Sequence, residues 1–148
     1  MGQAMTITKP RTITFLSSLG YDPRNYESAA HQNALKGVSY RQFEKFATYT
    51  GLTGAQLATA LGIPSSTHSR RKIESKLSST ESERLLRFMK RFDETLELFD
   101  RNPEATRLWF LKPRPALGGK MPIELMTTEF GGKMVERLVG QLIHGVYV

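Results

Sequence analysis

The stretch TGAQLATALGIPSSTHSRRK, residues 53–72, decides the fold of the first half of the chain. Thr53 can cap the N-terminus of a helix whose apolar positions include Leu57 and Leu61. A four-residue turn, Gly62 to Ser65, then leads into a second helix that is polar and basic. Two short helices joined by a tight glycine-containing turn are typical of a helix-turn-helix, so this stretch predicts one.

The second helix of this pair carries the side chains that DNA recognition needs. Short hydroxyl side chains lie at its start, where such helices reach base edges, and basic side chains that can neutralise phosphates follow. Arg70 has the length and charge to reach a guanine. The alternatives are a plain loop for the hydroxyl cluster and a solvated surface for the basic run. The predicted DNA contacts are Ser65, Ser66, Thr67, Ser69, Arg70, Arg71 and Lys72.

His68 departs from this pattern, because it stands where a branched apolar side chain normally packs beneath the second helix. We expect a neutral histidine that faces the core. The alternative is a pH switch, for which the sequence offers no further support.

Composition limits the classes of function. The net charge of +7 and the isoelectric point near 9.9 favour an anionic partner, with nucleic acid first and simple solubility as the alternative. The chain has no cysteine and its three histidines lie far apart, so we expect no disulfide and no metal site. Nucleotide-binding and nucleophile motifs are missing, so we expect neither an enzyme nor a cofactor. Without a long apolar run or a signal peptide, we expect a cytoplasmic protein with no membrane partner.

Helices are predicted on both sides of the helix pair, which makes the chain all-α. From Ser39 the apolar spacing predicts an amphipathic helix that Gly51 ends. On the other side, a capping box at residues 78–81 starts a long helix whose apolar stripe continues as far as Phe99.

The C-terminal part predicts shorter helices. Asn102 caps a helix that ends near Leu111, and residues 122–126 form a turn that the glycine pair 131–132 ends. A final amphipathic helix carries the apolar residues between Met134 and Ile143 and is closed by Gly145.

The N-terminal residues 1–35 are interpreted as a partly ordered arm. Within it, residues 12–16 can be extended for a short distance. A short helix from His31 to Leu35 can end at Gly37.

A second distinctive stretch is LWFLKPRPALGGKMPIELMTTEFGG, residues 108–132, which holds the only tryptophan. Proline fixes φ and glycine permits positive φ, so this stretch predicts a connector of defined shape. It leads into the final helix, after which the sequence runs to Gly145–Val148, an apolar and aromatic tip. We expect another surface to cover this tip.

Two sets of residues carry a family resemblance. In the first half they are Leu61-Gly62-Ile63-Pro64, Ser66-Thr67, Arg70-Arg71-Lys72, Leu77-Ser78, Glu81-Ser82 and Arg84-Leu85-Leu86-Arg87. In the second half they are Trp109, Pro113, Ala116-Leu117-Gly118-Gly119, Pro122, Leu125, Thr127, Gly131, Val135, Leu138 and His144-Gly145-Val146-Tyr147. With these residues the chain resembles the Xre/ParS/MbcA antitoxins of RES–Xre toxin–antitoxin systems over about three-quarters of its length. His68, where the family usually has leucine, and the looser residues 126–130 depart from the pattern.

The resemblance implies a protein of two parts. A Cro/repressor-like helix-turn-helix unit, residues 36–92, would bind the operator of its own operon, and a small helical domain, residues 93–148, would bind the toxin. The implied partners are an ADP-ribosyltransferase-like RES-domain toxin that degrades NAD, operator DNA and a second copy of the chain in a homodimer. The C-terminal domain and tail would cover the toxin active site. The implied toxin contacts are Trp109, Pro113, Leu117, Gly118, Pro122, His144, Gly145, Val146, Tyr147 and Val148.

Two other interpretations remain at this stage. One is a free-standing helix-turn-helix transcription regulator whose C-terminal domain only dimerises. The other is a helical interaction module whose DNA-binding half has decayed, which His68 would suit.

Overall fold

The computed structural model describes residues 14–145, which fold into nine α-helices joined by short turns. The prediction of an all-α fold is confirmed, since residues 14–145 contain isolated bridges but no β-strand. None of the helices in this range is long and apolar enough to cross a membrane. The helices are α1 (Phe15–Ser18), α2 (Tyr26–Lys36), α3 (Tyr40–Thr50), α4 (Gly54–Ala60), α5 (Ser65–Glu74), α6 (Ser79–Thr95), α7 (Pro103–Phe110), α8 (Pro122–Leu125) and α9 (Glu129–His144), with 3-10 turns at Pro23–Asn25, Leu96–Phe99 and Pro115–Leu117.

Local capping residues start the helices where the sequence predicts. The side chains of Ser39, Thr53 and Ser78 each accept a hydrogen bond from the backbone N–H three residues further on. At the start of α6, the Glu81 carboxylate accepts from the Ser78 N–H at 2.9 Å and completes the predicted capping box. Asn102 caps α7 in the same way. These four helix starts are confirmed.

Helix α6 is the centre of the core. Its residues Leu85, Phe88 and Phe92 are almost completely buried, and α1, α2 and α9 pack against it. Phe88 and Phe92 also meet Phe46 of α3 and Phe110 of α7 in an aromatic cluster, with ring centroids 5.4–5.7 Å apart. One hydrophobic core therefore runs through both halves of the described chain.

Side chains of the second half close the ends of helices in the first. Arg107 Nη1 donates to the Thr50 carbonyl at the end of α3, at 3.3 Å. The Thr127 hydroxyl donates to the Ala60 carbonyl at the end of α4, at 3.1 Å. These bonds satisfy carbonyls that a helix C-terminus leaves without a partner. The predicted division at residues 92–93 also falls within α6, so the two predicted units share a helix as well as these caps.

The start of the last helix differs from the prediction. Gly131 and Gly132 were expected to end the preceding turn, but they lie inside α9, which begins at Glu129 behind the N-cap Thr128. Gly131 is buried, and a Cβ at this position would overlap the backbone carbonyl of Leu125. The glycine therefore permits close packing of α9 on α8 rather than stopping a helix.

The N-terminal region is more regular than an arm. The predicted extended segment is wrong from residue 14 onward, because Thr14 caps the helix α1; Thr12 and Ile13 lie outside the described residues. Helix α2 ends at Gly37 as predicted, with φ +84°, but it begins at Tyr26 rather than near His31. It packs along α6, where the Tyr26 hydroxyl donates to the Leu86 carbonyl at 2.6 Å.

Candidate functional site

Helix α5, the predicted DNA-contacting helix, is held at the surface by polar contacts on its inner side. Within α5 no residue is fully buried. His68 packs its ring against Tyr40 and Phe43, and its Nε2 lies 2.8 Å from the Tyr40 hydroxyl in a hydrogen bond. The expectation that His68 faces the core agrees with this position.

Arg71 makes the second anchor of α5. Its Nε donates to Glu81 Oε1 at 2.7 Å, its Nη2 donates to Glu81 Oε2 at 3.2 Å, and its Nη1 donates to Glu74 at 2.9 Å. The fork-shaped guanidinium is thus bidentate on the residue that also closes the capping box of α6. Arg71 was predicted to contact phosphate, but its guanidinium is already hydrogen-bonded within the protein.

The Arg71 contacts change the ionisation of their carboxylate partner. Burial alone would raise the pKa of Glu81. The hydrogen bonds from Arg71 and from the Ser78 backbone outweigh burial and hold the pKa of Glu81 below its ordinary value. Glu81 is therefore a carboxylate at neutral pH, and the anchor between α5 and α6 is a charged one.

The outer side of α5 presents the remaining predicted DNA contacts. Ser66, Ser69 and Arg70 are exposed, as are Ser65 and Lys72 beside them, whereas Thr67 is half-buried. Pro64 precedes the helix and provides no side-chain cap for the first backbone N–H groups of α5. A helix N-terminus of this kind favours phosphate.

Helix α9 carries a different kind of surface. Its inner side buries Val135 and Val139, and Glu136 accepts from Arg91 of α6 at 2.8 Å. Its outer side leaves Phe130 85% exposed and Met134 40% exposed, one helical turn apart. Sequence reasoning missed this pair, since it placed Met134 on the inner stripe and began the helix after the glycines. Recognition of Thr128 as the N-cap would have given the correct register.

Comparison with known proteins identifies both halves. Residues 29–90 match the family described as the antitoxin Xre-like helix-turn-helix domain, and residues 95–145 match the antitoxin Xre/MbcA/ParS C-terminal toxin-binding domain. The chain is also 31% identical over 112 residues to the antitoxin Xre of Yersinia enterocolitica, an alignment that covers 75% of this chain and 76% of that protein.

This chain belongs to the Xre/MbcA/ParS antitoxin family. Two further relatives agree with this. An antitoxin Xre of Photorhabdus laumondii is 27% identical over 92% of this chain and 88% of its own length. A Sphingobium protein named Prs ADP-ribosylating antitoxin is 26% identical over 76% of each chain. The resemblance inferred from the sequence is thus confirmed. The first matched domain is described by its helix-turn-helix and the second by toxin binding.

The residues predicted to contact the toxin fall into three groups in this antitoxin. Three of them, Trp109, Leu117 and Pro122, are buried and support the domain from inside. Pro113, Gly118, His144 and Gly145 are exposed. Val146, Tyr147 and Val148 lie outside the described residues.

Trp109 illustrates the supporting role. It is 6% exposed, packs edge-on against Phe110, and is covered by the Arg114 guanidinium at 5.1 Å from its ring. Arg114 Nη2 also donates to the Trp109 carbonyl at 3.1 Å. A partner could reach this indole only if the connector opened, so the exposed residues of the domain are the better candidates for toxin contact.

Among residues 14–145 no group of three metal-ligating side chains comes together.

Proposed function

We propose that this antitoxin neutralises a RES-domain toxin that consumes NAD, by laying α9 and the C-terminal tail over the toxin active site. The observation that carries the proposal is the exposed pair Phe130 and Met134 in the toxin-binding domain. Exposed large apolar side chains close together on a charged surface favour a protein partner, and aromatic side chains commonly dominate the energy of such contacts.

The tail, residues 145–148, supplies the blocking element. Gly145 has φ +67° and ends α9, next to the exposed residues His144 and Ile143. Tyr147 in the tail offers an aromatic ring of the size that a nicotinamide or adenine pocket accepts. Occupation of such a pocket would exclude NAD from the toxin.

The class of toxin is supported by a relative. The Sphingobium protein is named a Prs ADP-ribosylating antitoxin, and ADP-ribosylation takes its ADP-ribose group from NAD. A small, aromatic blocking element would suit a toxin that binds NAD in a pocket.

The helix-turn-helix half gives the antitoxin a second role, in which it represses its own operon. The outer side of α5 would contact base edges through Ser66, Ser69 and Arg70, while Lys72 and Lys76 contact phosphates. A homodimer would place two copies of α5 on a palindromic operator, one helical turn of DNA apart.

Co-expression tests the neutralising role. A cognate RES-domain toxin expressed alone should deplete cellular NAD, and the wild-type antitoxin should restore it. Phe130→Asp should lose protection, because a charge replaces the aromatic contact. Arg70→Ala should protect fully, because Arg70 lies on α5, far from α9 in the chain, and it serves as the matched control. Full protection by Phe130→Asp and by a chain lacking residues 146–148 would reject the docking surface and the blocking tail together.

A free-standing regulator is the second candidate, because the exposed pair on α9 would equally suit contact with a second copy of the chain. In that case Phe130→Asp would convert a dimer to a monomer and weaken operator binding. Sedimentation of the purified variant separates the two functions, since the antitoxin proposal expects its self-association to match the wild type.

A further inference from the structure

Ile73 is out of place on the polar helix α5. It is 84% exposed, while every other residue of this helix is polar or charged. Removing a side chain of this size from water lowers the free energy substantially. Its exposure on a candidate interface therefore indicates that a partner covers it.

The position of Ile73 on the helix is fixed. Residues Ser66, Ser69, Arg70 and Ile73 follow the spacing i, i+3, i+4 and i+7, which forms a single stripe along a helix. At about 100° per residue, Ile73 lies within roughly 20° of Ser66 around the helix axis. It lies about 10 Å from Ser66 along that axis, which is close to three base-pair steps of DNA.

The inner side of α5 prevents this stripe from rotating toward the core. On the side of the helix opposite Ile73, His68 is hydrogen-bonded to Tyr40 and Arg71 is hydrogen-bonded to Glu81. Because both anchors would have to break for Ile73 to become buried within its own chain, the exposed position is the one in which α5 meets a partner.

The charges beside Ile73 indicate what that partner is. Arg70, Lys72 and Lys76, each within three residues of Ile73 in the sequence, are exposed basic side chains. The acidic neighbour Glu74 is paired with Arg71. A partner that faces three cations and one isoleucine needs an anionic surface with a small apolar feature in it. In the DNA major groove that feature is the C5-methyl group of thymine.

We infer that Ile73 is a specificity-determining residue that packs against the methyl group of a thymine in the recognition site. This inference rests on the proposed role of α5 in DNA binding. Isoleucine has no donor or acceptor, so it distinguishes thymine only by its methyl group. Replacement of thymine by uracil removes that methyl group and leaves base pairing and charge intact.

A double-mutant cycle between protein and DNA tests the inference. The full-length wild-type protein first selects a duplex from a randomised library. Each thymine of the selected site is then replaced by uracil in turn, and the Kd is measured for wild type and for Ile73→Ala. One thymine per half-site should be sensitive, with its replacement weakening wild-type binding about fourfold, the scale of one buried methyl group. The same replacement should have no effect on Ile73→Ala.

Leu35→Ala is the control variant, because Leu35 is 67% exposed on α2, outside the predicted DNA-contacting helix. It should show the same uracil sensitivity as the wild type. Equal uracil sensitivity of wild type and Ile73→Ala at every position would overturn the inference while leaving the DNA-binding role intact. A changed sedimentation coefficient for Ile73→Ala without a change in uracil sensitivity would reassign Ile73 to contact with a second copy. Failure of the wild type to select any duplex would instead reject both the inference and the DNA-binding role.

Discussion

Helices α5 and α9 both carry candidate interfaces, yet the protein holds them by different means. Helix α5 is attached by hydrogen bonds from His68 and Arg71, and within it no residue is fully buried. Helix α9 is attached by close packing, with Gly131 against the backbone of Leu125 and Val135 wholly buried.

This difference suits the two partners. Anchoring by a few polar side chains on the inner side leaves the outer side of α5 for a polar and charged partner such as DNA. Close packing fixes the backbone of α9 on the core and leaves the Phe130 side chain exposed, where a protein partner can bury it. We therefore expect substitutions at the anchors to reduce stability more in α9 than in α5, and substitutions on the outer sides to affect binding alone.

The largest effect is expected for Gly131→Ala. The new Cβ would overlap the Leu125 carbonyl, which is backbone and has little room to move, so the free energy of unfolding should fall by about 3 kcal/mol. Gly140→Ala is the matched control in the same helix, where nothing lies within 4 Å of the added atom. It should leave stability unchanged or raise it by up to about 1 kcal/mol. Urea denaturation measures both, and equal effects would contradict the packing role of Gly131.

Arg71→Ala should have a smaller effect, about 2 kcal/mol, because it removes charged hydrogen bonds and leaves the carboxylate of Glu81 without its main partner. DNA binding should weaken through the displaced helix, with no change in its dependence on salt. Arg70→Ala should leave stability within about 0.5 kcal/mol and weaken DNA binding by about 1–3 kcal/mol, if Arg70 contacts a base. A shallower salt dependence for Arg71→Ala, with stability unchanged, would assign Arg71 to a phosphate instead.

On the outer side of α9, Phe130→Ala should weaken toxin binding by about 1–2 kcal/mol. Its stability should match the wild type, since the ring is 85% exposed. Calorimetric titration with purified toxin measures the affinity, and Ile73→Ala provides an exposed apolar control on α5. Equal affinities for the two variants would remove Phe130 from the toxin interface.

The smallest effect is expected from pH at the α5–α6 anchor. Because the folded protein holds the pKa of Glu81 below its ordinary value, the stabilisation is present at neutral pH and is lost as the pH falls through the folded-state pKa. Glu81→Gln keeps part of the hydrogen bonding, so it should be less stable than the wild type by about 1 kcal/mol at pH 7. The difference should shrink as the pH approaches 3 in urea titrations. A constant difference across this range would contradict a charged anchor.

Features encoded by neighbouring residues could be predicted from the sequence. The caps at Thr53, Ser78 and Asn102 need only a side chain and a backbone N–H two or three residues away, so these helix starts could be predicted. The two glycines of α9 were misinterpreted because their role depends on Leu125, a contact made only after the chain folds.

The candidate interfaces likewise combine features that the sequence predicts with features that depend on the folded structure. The hydroxyl and basic side chains of α5 could be predicted as a set, but the opposite orientations of Arg70 and Arg71 could not, because the partner of Arg71 is Glu81 on the next helix. In the toxin-binding domain the matching residue types pointed to Trp109, which the fold buries, while Phe130 was missed. A family pattern marks residues that a domain needs, and burial separates those that support it from those that face outward.

We propose that the antitoxin prevents its toxin from using NAD. The most direct test follows NAD consumption by a purified RES-domain toxin while the antitoxin is titrated in. We expect consumption to stop at a fixed stoichiometric ratio, and NAD already bound to the toxin to slow the formation of the complex. Undiminished NAD consumption by a toxin that is fully bound to the antitoxin would contradict it.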